Sequence, residues 1–369
     1  MRNVIIIGGG LAGLISSIQL IRAGIPCTVI EKKSYPLHRV CGEYISNEAV
    51  PFLKAAGLYP IGMDLPQIKN LEFSAINGQS SNLALDLGGF GISRYAFDYF
   101  LYQIAKKEGV HFQLNTEVTK VDFGNNEFDL RTNTGELNSE VVIGSFGKRS
   151  KIDIQQNRDF IKKRSPYVAV KYHIRSDHPK EVISLHNFPG GYCGIGNVEG
   201  GITNLCYLTH RDNVKRFGDI PEMEIEVLYK NPRLKNIFLN SHFLFPKPEV
   251  INEISFETKG PVENHILMAG DAAGMITPVC GNGMAIAIQS AKILSELVIL
   301  YSRQKINRET LELRYKTVWN MQFRKRLWYG RQVQRLFGNV SLSNAAVNIA
   351  LFSKPLAHFI VSKTHGESF

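Results

Sequence analysis

The chain has 369 residues, 44% of them hydrophobic and 21% charged, with a formal net charge of +10. That balance excludes a disordered, collagen-like or coiled-coil chain and leaves residues for two domains with a core able to enclose a bulky cofactor. The cysteines (Cys27, Cys41, Cys193, Cys206 and Cys280) include no CxxC pair, so neither a disulfide framework nor a zinc site is indicated, and a reducing, cytoplasmic setting is expected.

No segment is expected to cross a bilayer. The longest early apolar run, Val4 to Ile15, covers 12 residues against the roughly 20 required, and only Arg2 stands where a signal peptide would carry its basic region. Val4 to Ile7 instead reads as a buried parallel strand, short, apolar and bounded by glycine. Gly8-Gly9-Gly10-Leu11-Ala12-Gly13 follows, and Leu14, Ile15, Ile18 and Ile21 then recur at helical spacing. Gly24 suits the position after a helix end, Pro26 prevents continuation, and Cys27 to Ile30 forms a second strand ending at Glu31.

This is a complete βαβ unit with GxGxxG on Gly8, Gly10 and Gly13. The first glycine permits the tight turn, the second lets backbone amides approach a pyrophosphate, and the third lets helix and strand pack closely. The helix N-terminus, with Leu11 and Ala12, offers free N–H groups and partial positive charge to phosphates. Glu31 lies 18 residues after Gly13, where a carboxylate accepts hydrogen bonds from an adenosine ribose, with Lys32 beside it. An acid there favours an unphosphorylated ribose, as in FAD or NAD, over NADP. A nucleotide-free glycine turn is the alternative; strand, turn, helix, strand and acid falling in register speak against it.

Arg39-Val40-Cys41-Gly42-Glu43 follows the second strand. Ser93 to Asp98 opens a helix, Val110 to Leu114 reads as a strand before Thr116-Glu117-Val118, and Val141 to Ile143 reads as another before Gly144-Ser145-Phe146-Gly147. Residues 165–210 alternate in strand fashion between glycine turns and read as an antiparallel sheet, with Asp86 and Gly88 to Gly91 at its rim. His173 and His186 are read as ordinary strand histidines. His265 to Ala269 is a short strand, followed by Gly270-Asp271-Ala272-Ala273-Gly274, then Pro278-Val279-Cys280-Gly281-Asn282-Gly283 and an apolar helix from about Met284 through Leu297.

The GDAAG segment with PxxGxG and a helix resembles the second FAD fingerprint of the flavoprotein superfamily that includes geranylgeranyl reductases and p-hydroxybenzoate hydroxylase-like enzymes. The resemblance covers residues 1–150 and 255–300, and 165–210 weakly. It implies that Asp271 holds ribityl or ribose hydroxyls, and that Gly281 and Gly283 set amides against the flavin pyrimidine edge, where reduced flavin carries negative charge. It further implies that Arg94 and Arg39 contact the cofactor, that Val118 meets adenine through its backbone, and that the Cys41-Gly42 pair lies beside the flavin. Phe146 departs from the pattern, standing where the family has an acidic or small residue. In geranylgeranyl reductases a PxxYxWxFP-like segment lines the substrate cavity. Pro189 and Tyr192 match it, but glycine replaces its tryptophan. Tyr192 either orients or protonates a substrate or packs its ring in the sheet. The WxWxIP segment of flavin-dependent halogenases is absent, which disfavours halogenation.

The implied fold is α/β: a three-layer Rossmann-like FAD-binding domain (1–73, 92–155 and 258–300) interrupted by an antiparallel β-sheet substrate domain (74–91 and 156–257), with a C-terminal helical extension (301–369). The expected function is an FAD-dependent oxidoreductase acting on a hydrophobic small molecule. A reductase of the geranylgeranyl-reductase type is favoured, with Tyr192, Cys41 and Glu43 on the substrate side. A monooxygenase using NAD(P)H and O2 is the alternative, and a non-catalytic flavin- or lipid-binding protein is the alternative of another class. Without a second GxGxxG, NAD(P)H is expected to bind only transiently. Cys280 precedes a helix N-terminus, which can lower a thiol pKa, but packing is the default for it and for Cys41.

Residues 308–337 read as a long helix interrupted by Gly330. Residues 301–337 carry ten lysines and arginines against Glu309 and Glu312, a net +8. Basic on its polar faces and aromatic on the other, the segment suits either an anionic membrane surface or packing on the flavin domain with arginines reaching to solvent. No recognition fold accompanies the charge, so nucleic acid is not an expected partner. A second apolar segment runs from Asn344 to Val361.

Overall fold

The computed structural model describes residues 3–335, 337–338, 355, 359 and 362–369. Strand β1 (Val4–Ile7) is buried throughout, α1 (Leu11–Arg22) follows the glycine turn, and Gly24 takes a left-handed φ of 78° just past the helix end. Strand β2 (Cys27–Glu31) lies parallel to β1. Next come β3 (Tyr44–Ser46), α2 (Val50–Ala55), β4 (Gln67–Ser74) and β5 (Ser80–Gly91). Helix α3 (Arg94–Lys107) starts at Ser93, whose hydroxyl accepts from the Ala96 N–H at 3.0 Å, an N-cap. It leads to β6 (His111–Leu114), the antiparallel trio β7 (Val118–Gly124), β8 (Glu127–Thr132) and β9 (Glu136–Ser139), then β10 (Val141–Gly144) and α4 (Lys151–Gln155).

Four long strands follow: β11 (Tyr167–Arg175), β12 (Val182–Phe188), β13 (Gly191–Val198) and β14 (Ile202–His210). Helices α5 (Arg211–Phe217), α6 (Ile220–Val227) and α7 (Pro232–Asn240) precede the short strands β15 (His242–Phe243), β16 (Glu249–Asn252), β17 (Val262–Glu263) and β18 (Ile266–Met268). Helices α8 (Gly283–Ser302) and α9 (Arg308–Gln334) complete the described elements.

One sheet runs β17-β18-β10-β1-β2-β6, parallel except for the edge strand β17. The chain leaves β1 towards β2 on one side and returns to β10 on the other, so a crevice opens at the carboxyl end of β1. The second sheet runs β15-β11-β14-β13-β12-β4-β5-β3, with β16 beside β11. Together they give a mixed α/β architecture, a mainly parallel sheet beside a larger, mainly antiparallel one.

The structure departs from the sequence reading in four places. Strands β3 and β4 belong to the second sheet, Tyr44 pairing with Gly91 and Leu71 with Leu83, so that sheet recruits chain well before residue 74. It is not wholly antiparallel either, because β12 runs parallel to β4. Helix α8 is, at 20 residues, long and apolar enough to span a bilayer, contrary to the expectation that no segment is. Its residues Ala285, Ile288, Ala291, Leu294 and Val298 are completely buried, however, and it packs on both α1 and α9 as a core helix. Gly330 does not interrupt α9: a Cβ there would lie 3.0 Å from Thr277 Oγ1 and 3.1 Å from Ile276, so the glycine permits close packing. The apolar segment expected over Asn344 to Val361 falls, apart from residues 355 and 359, outside the described residues.

Candidate functional site

A cavity of about 860 Å³ opens between the carboxyl ends of β1 and β2 and the inner face of the second sheet. Every residue that the sequence assigned to the cofactor or the substrate side lines it except Gly13. Gly13 lies beneath, where a Cβ would collide with the Gly8 carbonyl, as close helix–strand packing requires. Gly8, at φ 100°, presses against β10, a Cβ there falling 2.5 Å from the Ser145 carbonyl oxygen. Gly10 alone of the three faces open space, its nearest neighbour being Arg94 Nη2 at 3.3 Å.

Two of the helices whose N-termini meet the cavity, α1 and α8, start at Gly10 and Asn282 without a side-chain cap. Helices α3, α4, α6, α7 and α9 are all capped, by Ser93, Ser150, Asp219, Asn231 and Asn307. Uncapped N–H groups with a local positive potential are what a phosphate or an anionic ring edge requires.

A charged network lies beside the start of α1. Glu31 is buried; its Oε2 accepts from the Gly9 N–H at 2.9 Å and from Arg39 Nη2 at 3.1 Å. Arg39 Nε donates to Asp98 at 3.1 Å, and Asp98 takes a two-pronged pair of 2.7 Å bonds from Arg94. The carboxylates hold both guanidiniums at the cavity wall. Lys32 is exposed at the rim, and Val118 enters β7 two residues after Thr116, whose N–H donates to the Glu31 carbonyl at 3.1 Å. The Asp271 carbonyl accepts from Lys259 Nζ at 2.9 Å; burial pushes that ammonium down to about 8. Gly281 takes a left-handed φ of 66° before α8. The Phe146 ring fills the space over Gly144.

Another part of the cavity wall is apolar. Leu71, Phe73, Leu83, Leu185 and Leu208 come from the second sheet, and Val333 and Phe337 from α9 and the residues after it. The Tyr192 ring meets Phe337 edge-on at 5.3 Å, and its buried hydroxyl has no hydrogen-bond partner among the described residues. Burial raises that phenol well above its ordinary value, so it keeps its proton. Cys41 is half-buried on the wall, and its carbonyl accepts from Asn204 Nδ2 at 3.1 Å. Cys280 lines the cavity too, but burial pushes its thiol up to about 12. The apolar surroundings therefore outweigh the helix N-terminus, in keeping with a packing role.

Glu43 is fully buried at φ 56°, outside the usual range for a side-chain-bearing residue. Its carboxylate accepts from Lys171 Nζ, from the Arg94 N–H at 2.7 Å, and meets His173 Nε2 at 2.7 Å. Burial pulls the carboxyl upward, but the Lys171 charge and the His173 bond together hold it below its ordinary value. Lys171 also donates to the Arg39 carbonyl at 3.2 Å. The pair therefore fastens the Arg39–Glu43 loop, one wall of the cavity, to strand β11. His186 lies away from the cavity, its Nδ1 2.9 Å from Ser74 Oγ, and burial lowers it to about 4.

Sequence reasoning missed the buried lysines Lys171 and Lys259, and the cavity-lining residues Val333, Phe337, Thr364 and His365. A lysine inside the apolar run Val168-Ala169-Val170-Lys171-Tyr172 was the one available signal, since an unpaired charge is not buried there.

The residues present fit FAD: the open face of Gly10 and the uncapped starts of α1 and α8 line one cavity together with Glu31, Arg94 and Asp271. The FAD binding domain family profile matches residues 1–186. Digeranylgeranylglycerophospholipid reductase 2 of Methanopyrus kandleri is 24% identical over 364 residues, covering 92% of this chain and 87% of its own length. Kynurenine 3-monooxygenase of Cytophaga hutchinsonii is 23% identical, covering 80% of this chain and 72% of its own. Among solved structures, a geranylgeranyl bacteriochlorophyll reductase-like protein from Thermoplasma acidophilum superimposes with a TM-score of 0.77 at 16% identity, covering 100% of this chain and 96% of its own.

Proposed function

This chain belongs to the FAD binding domain family and is an FAD-dependent oxidoreductase; from that premise we propose that it reduces carbon–carbon double bonds of a hydrophobic small molecule, as the geranylgeranyl reductases do. The observation that carries the reading is the apolar compartment walled by Leu71, Phe73, Leu185, Leu208 and Phe337, continuous with the cofactor end of the same cavity. Burying an apolar chain there returns roughly 25 cal/mol per Å² of surface removed from water. The Cys41-Gly42 pair on the wall points the same way.

When bound, FAD supplies the two-electron chemistry. The α1 amides after Gly10 take the pyrophosphate, Glu31 the adenosine ribose and Asp271 a hydroxyl of the ribityl or ribose. The α8 N-terminus offers its amides to the pyrimidine edge, where they stabilise negative charge. Arg94, pinned by Asp98, positions its guanidinium against the same cofactor. The apolar walls exclude water. Tyr192, its proton retained by burial, orients substrate as a hydrogen-bond donor rather than serving as a proton source. NAD(P)H acts as a transient reductant. Monooxygenation is the second reading, favoured by the likeness to a kynurenine 3-monooxygenase.

Single-turnover reactions of pre-reduced enzyme with prenyl alcohols and aromatic acids, with and without oxygen, separate the two. A product two mass units heavier, formed equally well without oxygen, supports the reductase. A product gaining one oxygen atom, with matching oxygen consumption, refutes it.

A further inference from the structure

The outer face of α9 is unlike the rest of the surface. Leu313, Met321 and Trp328 are 63%, 75% and 51% exposed. At 100° per residue they fall within a sector of about 80°, and Arg324 falls inside it. Arg314 and Lys325 lie just beyond one edge of it, and among the described residues none of these three cations makes an ion pair. The opposite face holds the packing residues Leu311, Tyr315, Trp319, Phe323 and Leu327, all buried. Arg326, although in the middle of the basic run, belongs to that inner face, paired with Glu48 at 2.8 Å. Along this part of α9 the positive charge is thus sorted: Arg326 braces the core, whereas Arg314, Arg324 and Lys325 lie on or beside the face that exposes large apolar side chains.

We propose that this face docks on an anionic lipid bilayer, lying in the plane of the interface. A solvated helix does not require a tryptophan, a methionine and a leucine exposed on one sector, whereas an interfacial helix buries them among acyl chains while its cations meet lipid phosphates. A purely acidic partner would match the cations but leave the apolar side chains without a role. The same helix continues to Val333, which with Phe337 walls the apolar compartment. Docking therefore places that end of the cavity beside the bilayer, from which a hydrophobic substrate can be drawn; this last step rests on the proposed function, whereas the docking does not.

The test uses full-length, FAD-loaded protein sedimented with phosphatidylcholine vesicles, with and without phosphatidylglycerol. Retention on the anionic vesicles alone is expected, and it should be lost at 1 M salt, where the Debye length is about 3 Å. Replacing two surface cations in Arg324→Gln/Lys325→Gln should weaken binding about 30-fold. Trp328→Ser should weaken it even at low salt. Both variants should keep wild-type flavin absorbance and urea midpoint, which shows that they are folded. No retention by the wild type, or retention unchanged in both variants, overturns the proposal. So does equally tight binding to poly-glutamate beads that ignores Trp328→Ser, which would mark the face as a site for acidic polymers. Failure of the wild type to turn over prenyl substrates would sink the reductase reading and leave vesicle binding unaffected.

Discussion

Lys171→Met removes the cation from a pair buried between the cofactor-side loop and strand β11. Both side chains have zero exposure, so solvent cannot screen the carboxylate that is left. Breaking such a pair by deleting one partner costs about 3–5 kcal/mol, and Glu43 is left with the Arg94 N–H and His173. In the wild type the folded Glu43 carboxyl lies below its ordinary value. It thus contributes stability at pH values above the unfolded pKa, and that stability fades as pH falls through the folded one. Without Lys171, burial dominates and the folded carboxyl rises above the unfolded one, so the folded variant binds the extra proton as pH falls. The deficit relative to wild type should therefore be largest at pH 8 and shrink by pH 5. Urea unfolding at both pH values measures it, and a Glu43→Gln/Lys171→Met double variant should recover most of the loss. A loss under about 1 kcal/mol, or one identical at the two pH values, would refute the buried ion pair.

Gly10→Val should abolish FAD retention in a folded protein, because the branched side chain occupies the open space before α1; full flavin occupancy would make that turn structural only. Asp271→Ala should weaken FAD binding by about 1.5–3 kcal/mol through loss of a charge-assisted hydrogen bond, as read by flavin fluorescence titration, and unchanged affinity would dismiss the residue. Cys280, with its thiol pushed up to about 12, should resist iodoacetamide at pH 8 in the native state and react after unfolding, checked by peptide mass. Arg326→Gln should cost about 3–5 kcal/mol in urea unfolding, since it strands the buried Glu48 carboxylate, whereas Arg324→Gln should cost under about 0.5 kcal/mol.

What could be read from the sequence was local. The β1–α1–β2 unit, its three glycines and Glu31 follow from hydrophobic period and turn chemistry within about thirty residues. The Ser93 cap of α3, the start of α8 and the long span of α9 follow from equally short signals. So do the sheet strands β11 to β14, each long enough to show alternation between glycine turns.

Tertiary structure decided what depends on partners far away in the chain. Strand β3 spans only Tyr44–Ser46 and is a strand because Gly89–Gly91 lies opposite it. The parallel alignment of β12 with β4 has no local signature. Lys171 reaches Glu43 across 128 positions and Arg326 reaches Glu48 across 278. No periodicity told that Arg326 points inward while Arg324 and Lys325 point out; that depended on which stripe of α9 the core would accept. Sequence alone therefore determined the cofactor-binding motif, because its phosphate-holding turn is built from adjacent residues. The apolar half of the cavity and the sorting of charge on α9 had to wait for the fold, because burial and ion pairing are set by the surfaces that come to lie against a residue.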